Sequence, residues 1–200
     1  MSEQAPQKNN EQLNEIDEKL LDFSNWIEKE NVTESDRAGL KYFKDAFKKN
    51  GNKLSVEMVL ETHKKIMADK SADFTTGEIR KVEVGVGYKT LLSAKDVEKN
   101  LLDIIDWYND LSQEYKNDLE ILKIFHIVFL YIHPFQDGNG RMSRIISHTQ
   151  AQAFNLRPNW LYDLPKKTDS LSLYYSLFKE DKKLFKMWRE VVQEWKNTKI

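Results

Sequence analysis

Apolar positions recur along this chain at three- and four-residue intervals, the spacing of one face of an α-helix. Leu13, Ile16, Leu20, Phe23 and Ile27 form one such stripe and predict a helix over about 11–29. Thr33-x-x-Asp36 reads as a helix start, because a hydroxyl and a carboxylate so spaced satisfy free N–H groups of a first turn. The stripe behind it is Leu40, Phe43 and Phe47, and Gly51 ends it. Ser55 opens a third helix with Val56, Val59, His63 and Ile66 inward, and His63 reads as a core-packed histidine. Ser93-x-x-Asp96 heads a fourth, carrying Val97, Leu101, Ile104, Ile105, Tyr108 and Leu111. The next begins at Asn117 or Asp118 and is apolar almost all round through Ile132, which places it in the middle of a domain. A further pattern spans 142–154, and 169–196 read as two amphipathic helices whose Trp188 and Trp195 serve core or rim packing.

The helical period fails over 74–90. Ile79, Val82, Val84, Val86 and Tyr88, with glycines at 77, 85 and 87, predict a β-hairpin instead. Glycine at alternate positions leaves room for an approaching backbone. An isolated hairpin is only marginally stable, so it is either an ornament resting on helices or a docking element. The fold class is mainly α with one short hairpin. At 200 residues one domain is the default.

Composition narrows the function. The 31 basic and 32 acidic residues nearly cancel to a net charge of -1, which gives no general attraction to nucleic acid polymers or anionic membranes. There is no cysteine, hence no disulfide framework and no thiolate metal site. The apolar run 121–132 is broken by Lys123 and His126 and is too short to span a bilayer. The first twelve residues are polar and lack a signal-peptide core. A cytoplasmic location is expected, or a host cell if the protein is delivered there.

The chemistry concentrates in His133-Pro134-Phe135-Gln136-Asp137-Gly138-Asn139-Gly140-Arg141-Met142-Ser143-Arg144. A histidine stands where one helix ends, and a Gly-rich turn opens the next. Glycines allow successive N–H groups to face one concavity, and a helix N-terminus suits an anion. Arg141 and Arg144 add fixed charge and several donors for phosphate oxygens. Asp137 is a hard oxygen ligand of the kind Mg²⁺ accepts beside substrate phosphates. His133, with an ordinary pKa of about 6.5, can take a proton near neutral pH. Phosphate cradle, metal ligand and base on one loop make a nucleotide site. Asp137-x-Asn139 is not a calcium loop, since the third ligand position holds Arg141. His126 reads as a satisfied core histidine.

The string His-Pro-Phe-x-Asp-Gly-Asn-Gly-Arg-x-x-Arg resembles the signature of the Fic (filamentation induced by cAMP) family, with every fixed position present from His133 to Arg144. Thr76-Gly77-Glu78-Ile79-Arg80 with the Val-rich run behind it is similar to that family's hairpin flap, and His126 falls where family members also carry a histidine. The resemblance covers roughly 54–190, within a domain taken as 33–200, preceded by a tail and first helix over 1–32. It implies a Fic-type helical domain with the flap beside the active-site loop, Val84, Gly85, Val86 and Gly87 holding a target segment by strand addition.

The implied activity is transfer of AMP from ATP, with Mg²⁺ or Mn²⁺, to a Tyr, Thr or Ser hydroxyl of a target protein. His133 would be the base, Asp137 the metal ligand, and Gly138, Asn139, Gly140, Arg141 and Arg144 the nucleotide site, with Asn139 on the α-phosphoryl oxygens. Rivals are transfer of UMP or phosphocholine, removal of AMP, and a non-catalytic nucleotide-sensing module. Many Fic proteins also carry an inhibitory helix, Ser/Thr-x-x-x-Glu-Gly/Asn, whose glutamate pairs with the second signature arginine. Ser24-Asn25-Trp26-Ile27-Glu28-Lys29 resembles it through Glu28 and departs at Lys29, so Glu28 is either inhibitory or a solvated helix residue. Glu30-Asn31 is a rival reading in which Trp26 replaces the Ser/Thr.

Overall fold

The computed structural model describes residues 13–70, 74–87, 89–115, 118–162, 175–176 and 178–198. Parts of four predictions lie outside the described residues: the tail over 1–12, Tyr88 of the hairpin, Asn117, and most of the first C-terminal helix. Helix α1 (Glu15–Glu28) starts four residues later than its stripe implied, because Asn14 and Asp17 close a capping box in which each side chain accepts the other's backbone N–H. Thr33 and Asp36 do the same for α2 (Glu34–Lys49), and Ser55 caps α3 (Val56–Ile66) at the Met58 N–H. Helix α4 (Ala94–Glu114) begins after Ser93, but the Ser93 hydroxyl does not cap it. Glu83 reaches across to accept from both Ser93 Oγ and the Ala94 N–H.

Helix α5 (Leu119–Ile132), capped by Asp118, runs through the centre and packs against α4, α6 (Asn139–Ala153) and α8 (Asp181–Thr198). The short α7 (Asn159–Tyr162) lies between the last two in sequence. Phe125, Val128, Phe129 and Ile132 of α5 are fully buried, at roughly 1.5–3 kcal/mol each. That burial holds the C-terminal end of α5, and so His133, in place.

Helix α1 docks on α6 through a buried carboxylate. Asp17 accepts from His148 Nε2 at 2.7 Å and Gln152 Nε2 at 3.1 Å on α6, and from Lys44 Nζ at 2.6 Å on α2. Burial works to raise its carboxyl, but the His148 and Lys44 contacts outweigh that and hold it far below the usual range. Asp17, Ser24 and Glu28 share one helical face, so this anchor also sets where the last two fall.

The expected hairpin narrows on folding. Strand β1 (Gly85–Val86) pairs antiparallel with β2 (Lys89–Thr90), and the alternation from Ile79 to Val84 stays unpaired. Tertiary bonds replace the ladder there: the Arg80 N–H donates to the Pro134 carbonyl at 2.9 Å, and Ile79 packs against the core.

Candidate active site

His133 closes α5 in the left-handed region (φ 52°, ψ 63°), its N–H still bonded to the Phe129 carbonyl at 2.9 Å. A non-glycine residue in that region costs roughly 1–2 kcal/mol. Its Nδ1 lies 3.0 Å from the Leu130 carbonyl, which can only accept. The proton therefore sits on Nδ1, and Nε2 carries the lone pair. Burial lowers the imidazole pKa, the Arg80 charge adds to that, and the Leu130 bond and Asp137 oppose it. The ring is neutral at pH 7.

The loop beyond is fixed from within. Asn139 accepts the Phe135 N–H at 2.9 Å and donates to the Phe135 carbonyl at 2.8 Å, so its amide is committed to the loop. The Asn139 side chain thus braces the loop from within. Gly138 lies in the left-handed region (φ 76°), where a Cβ would sit 2.9 Å from Met67 Sδ and 3.1 Å from His63 Nε2. Helix geometry leaves the N–H groups of Asn139, Gly140 and Arg141 without intrahelical partners, since the first such bond runs from Met142 to Gly138.

Both arginines are buried, and each meets a carboxylate, one from the last residue of α1 and one from just beyond it. Arg144 donates to Ser24 Oγ at 2.9 Å and to Glu28 Oε1 at 2.5 Å. Gly140 makes the approach possible, because a Cβ there would lie 2.8 Å from Glu28 Oε1. Arg141 donates to Glu30 Oε2 at 2.7 Å, and Lys70 Nζ binds the same oxygen at 2.7 Å. Burial works to raise the Glu30 carboxyl, but Lys70 and Arg141 outweigh it and leave the group below its ordinary range. The rival glutamates thus take one arginine each.

Lys29 makes this division possible. It adopts the left-handed conformation (φ 60°) that glycine or asparagine accepts most readily. Its N–H bonds to the Trp26 carbonyl and the Glu30 N–H to the Asn25 carbonyl, which turns the chain back over Arg141.

A cleft of about 380 Å³ lies against His133, the loop and Arg144. Glu28, His133, Asp137 and Arg144 border it, with Ile27, Leu130 and Phe178 as apolar walls and Val86 of β1 at its edge. The flap therefore stands beside the site, with Val86 exposed. Asp137 is exposed, accepts the Gly138 N–H at 2.6 Å and lies 3.7 Å from Arg141. No group of three or more His, Cys, Asp or Glu side chains converges among the described residues. A carboxylate beside the unpaired N–H groups of a helix start fits Mg²⁺ or Mn²⁺ shared with substrate phosphates, not a closed protein cage.

His63 and Arg80 do more than the patterns implied. His63 stacks on Phe135 at 3.7 Å, accepts from the Gly77 N–H at 2.8 Å and bonds the Asp137 carbonyl at 3.0 Å, clamping the flap's base to the loop. A titratable residue on an apolar stripe was the signal. His126 is buried against Ser147 Oγ, as a core histidine should be.

Comparison with known proteins matches residues 53–151 to the Fic/DOC family. "Protein adenylyltransferase fic-1" of Caenorhabditis elegans is 35% identical over 49% of this chain and 19% of its own length. "Protein adenylyltransferase Fic" of Nematostella vectensis is 27% identical over 54% of this chain and 25% of its own. The chain thus spans a quarter or less of these curated relatives. Among solved structures, a Fic domain containing signaling protein from Bacteroides thetaiotaomicron has a TM-score of 0.60 at 16% identity, covering 90% of this chain and 87% of that one. Residues 134–508 of Fic-1 from C. elegans give 0.58 at 24%, covering 82% and 50%. These likenesses show the fold.

Proposed function

The chain is a Fic-family protein, and from that premise we propose that it moves AMP from ATP to a Tyr, Thr or Ser hydroxyl of a partner protein, and that its own first helix restrains it. One observation carries the reading: a neutral imidazole whose Nε2 has no partner among the described residues shares a cleft with a buried arginine and an N-terminal helix turn. That matching relatives are named protein adenylyltransferases supports AMP as the group transferred.

The ATP phosphates lie against the N–H groups of Asn139, Gly140 and Arg141, with Arg141 and Arg144 on the outer phosphates. A divalent ion, when bound, neutralises phosphate charge, and Asp137 is the residue that would hold it. His133 Nε2 takes the hydroxyl proton as the target oxygen bonds to the α-phosphorus. The α–β bridging bond breaks and pyrophosphate leaves. Val86 and its neighbours on the flap hold the target segment beside the cleft by strand addition.

Restraint follows from charge. Arg144 cannot serve a γ-phosphate while Glu28 and Ser24 occupy its donors, and Glu30 does the same to Arg141. Intact-mass analysis of wild type and Glu28→Gly with a cell lysate as target source tests the proposal, using ATP·Mg²⁺ and, separately, CDP-choline. A mass gain of AMP on a protein, faster with Glu28→Gly, is expected. A phosphocholine gain, or no gain in either arm, overturns it.

A further inference from the structure

Arg80 is 3% exposed, and its guanidinium is spent on carbonyl oxygens. Nε donates to His133 O at 2.6 Å, Nη2 to Leu92 O at 2.5 Å and Ile132 O at 3.2 Å, and Nη1 to Val82 O at 2.8 Å. Its backbone N–H adds the Pro134 carbonyl at 2.9 Å. One side chain therefore gathers the last carbonyls of α5 together with both approaches to the flap, Val82 before β1 and Leu92 after β2.

Two physical features make this more than an anchor. Helix ends leave their final carbonyls unpaired, and a cation there also answers the negative end of the helix dipole. His133 is moreover the residue held at φ 52°, and a strained backbone persists only where its surroundings over-determine it. Arg80 grips the carbonyl of that strained residue. A change in the grip rotates the peptide that carries the imidazole.

We propose that Arg80 is a positioning residue for His133: it fixes the left-handed turn that aims Nε2 into the cleft, and ties that aim to the seating of the flap. The claim rests on the AMP-transfer reading for its catalytic consequence, but not for its geometry. Lysine cannot replace the guanidinium, because one ammonium does not span carbonyls from α5, Val82 and Leu92 at once.

The test compares Glu28→Gly with the double variants Glu28→Gly/Arg80→Lys and Glu28→Gly/Arg80→Gln. AMP transfer at saturating ATP·Mg²⁺ should fall about 100-fold, the usual consequence of a reacting group misplaced by about 1 Å. ATP affinity should stay within about threefold, since the guanidinium of Arg80 bonds the carbonyls of His133, Ile132, Val82 and Leu92 and not the residues placed against the phosphates. ¹⁵N NMR should show a single Nδ1–H tautomer for His133 in the parent and a second signal in the variants. Transfer within about threefold of the parent, parallel loss of ATP binding, or failure of both variants to fold would each overturn the proposal. If the Glu28→Gly parent itself transfers no AMP, the activity reading fails, and the His133 spectrum alone decides the positioning claim.

Discussion

The Glu30 carboxylate lies 2.7 Å from the Arg141 guanidinium, while Glu28, two residues earlier, holds Arg144. Two nearby anions from one segment thus occupy the two arginines of the proposed phosphate site. A helix continued through residue 30 would point these glutamates about 200° apart. The left-handed Lys29 breaks that geometry and brings both to the same loop.

Release should therefore come in two stages. A hydrogen bond to a charged group is worth about 1.5–3 kcal/mol, so Glu28→Gly should raise AMP transfer by tens of fold. Glu30 is partly exposed and shared with Lys70, so Glu30→Gln in that background should add a severalfold gain in ATP affinity. Intact-mass rates and nucleotide titrations check both. If the second substitution leaves ATP affinity where it was, the Arg141 pairing has no part in restraint.

His133→Ala should lose about 10²–10⁴ in transfer rate and still bind nucleotide. Because burial holds the folded imidazole below its ordinary pKa, the acid limb of kcat/KM should have its midpoint below pH 6.5. A profile already halved at pH 7 would contradict the assignment of His133 as the base.

Lys29→Gly should stabilise the protein by about 1 kcal/mol, since glycine takes the left-handed conformation without the Cβ penalty. For a chain of this size that is a Tm rise of about 2–4 °C. Restraint should persist, because the turn that aims both glutamates is kept. A lower Tm by calorimetry would mean that the turn is not strained at Lys29.

All four histidines have their pKa lowered by burial, His63 to about 4 and His126 to about 3. The unfolded chain takes up these protons first, near pH 6.5. Stability from these groups is therefore complete above pH 6.5 and is lost progressively below it, the His63 loss levelling off at about pH 4 and the His126 loss at about pH 3. At 1.36 kcal/mol per pKa unit, His63 alone accounts for about 3 kcal/mol by pH 4. Urea midpoints at pH 7, 5 and 4 should decline steadily, and His63→Gln should shallow that decline. A flat midpoint over this range would show that the buried rings do not titrate on unfolding.

Much of the fold and the loop was legible in the residues themselves. The Thr33 and Ser55 caps, the all-apolar α5 and the string from His133 to Arg144 are local, and propensity, capping and backbone freedom act over a few neighbours. The same locality misplaced the start of α1, where Asn14 and Asp17 form the cap, and overextended the hairpin, whose alternating residues are claimed by tertiary bonds. What only the tertiary structure decided are pairings across long separations. Ser24 and Glu28 meet Arg144 across 120 and 116 positions, Glu30 meets Arg141 across 111, and Arg80 meets His133 across 53. Such contacts depend on how α1 and the flap dock against α5 and α6. That docking is set by buried groups such as Asp17 and Arg80, whose partners no sequence window contains.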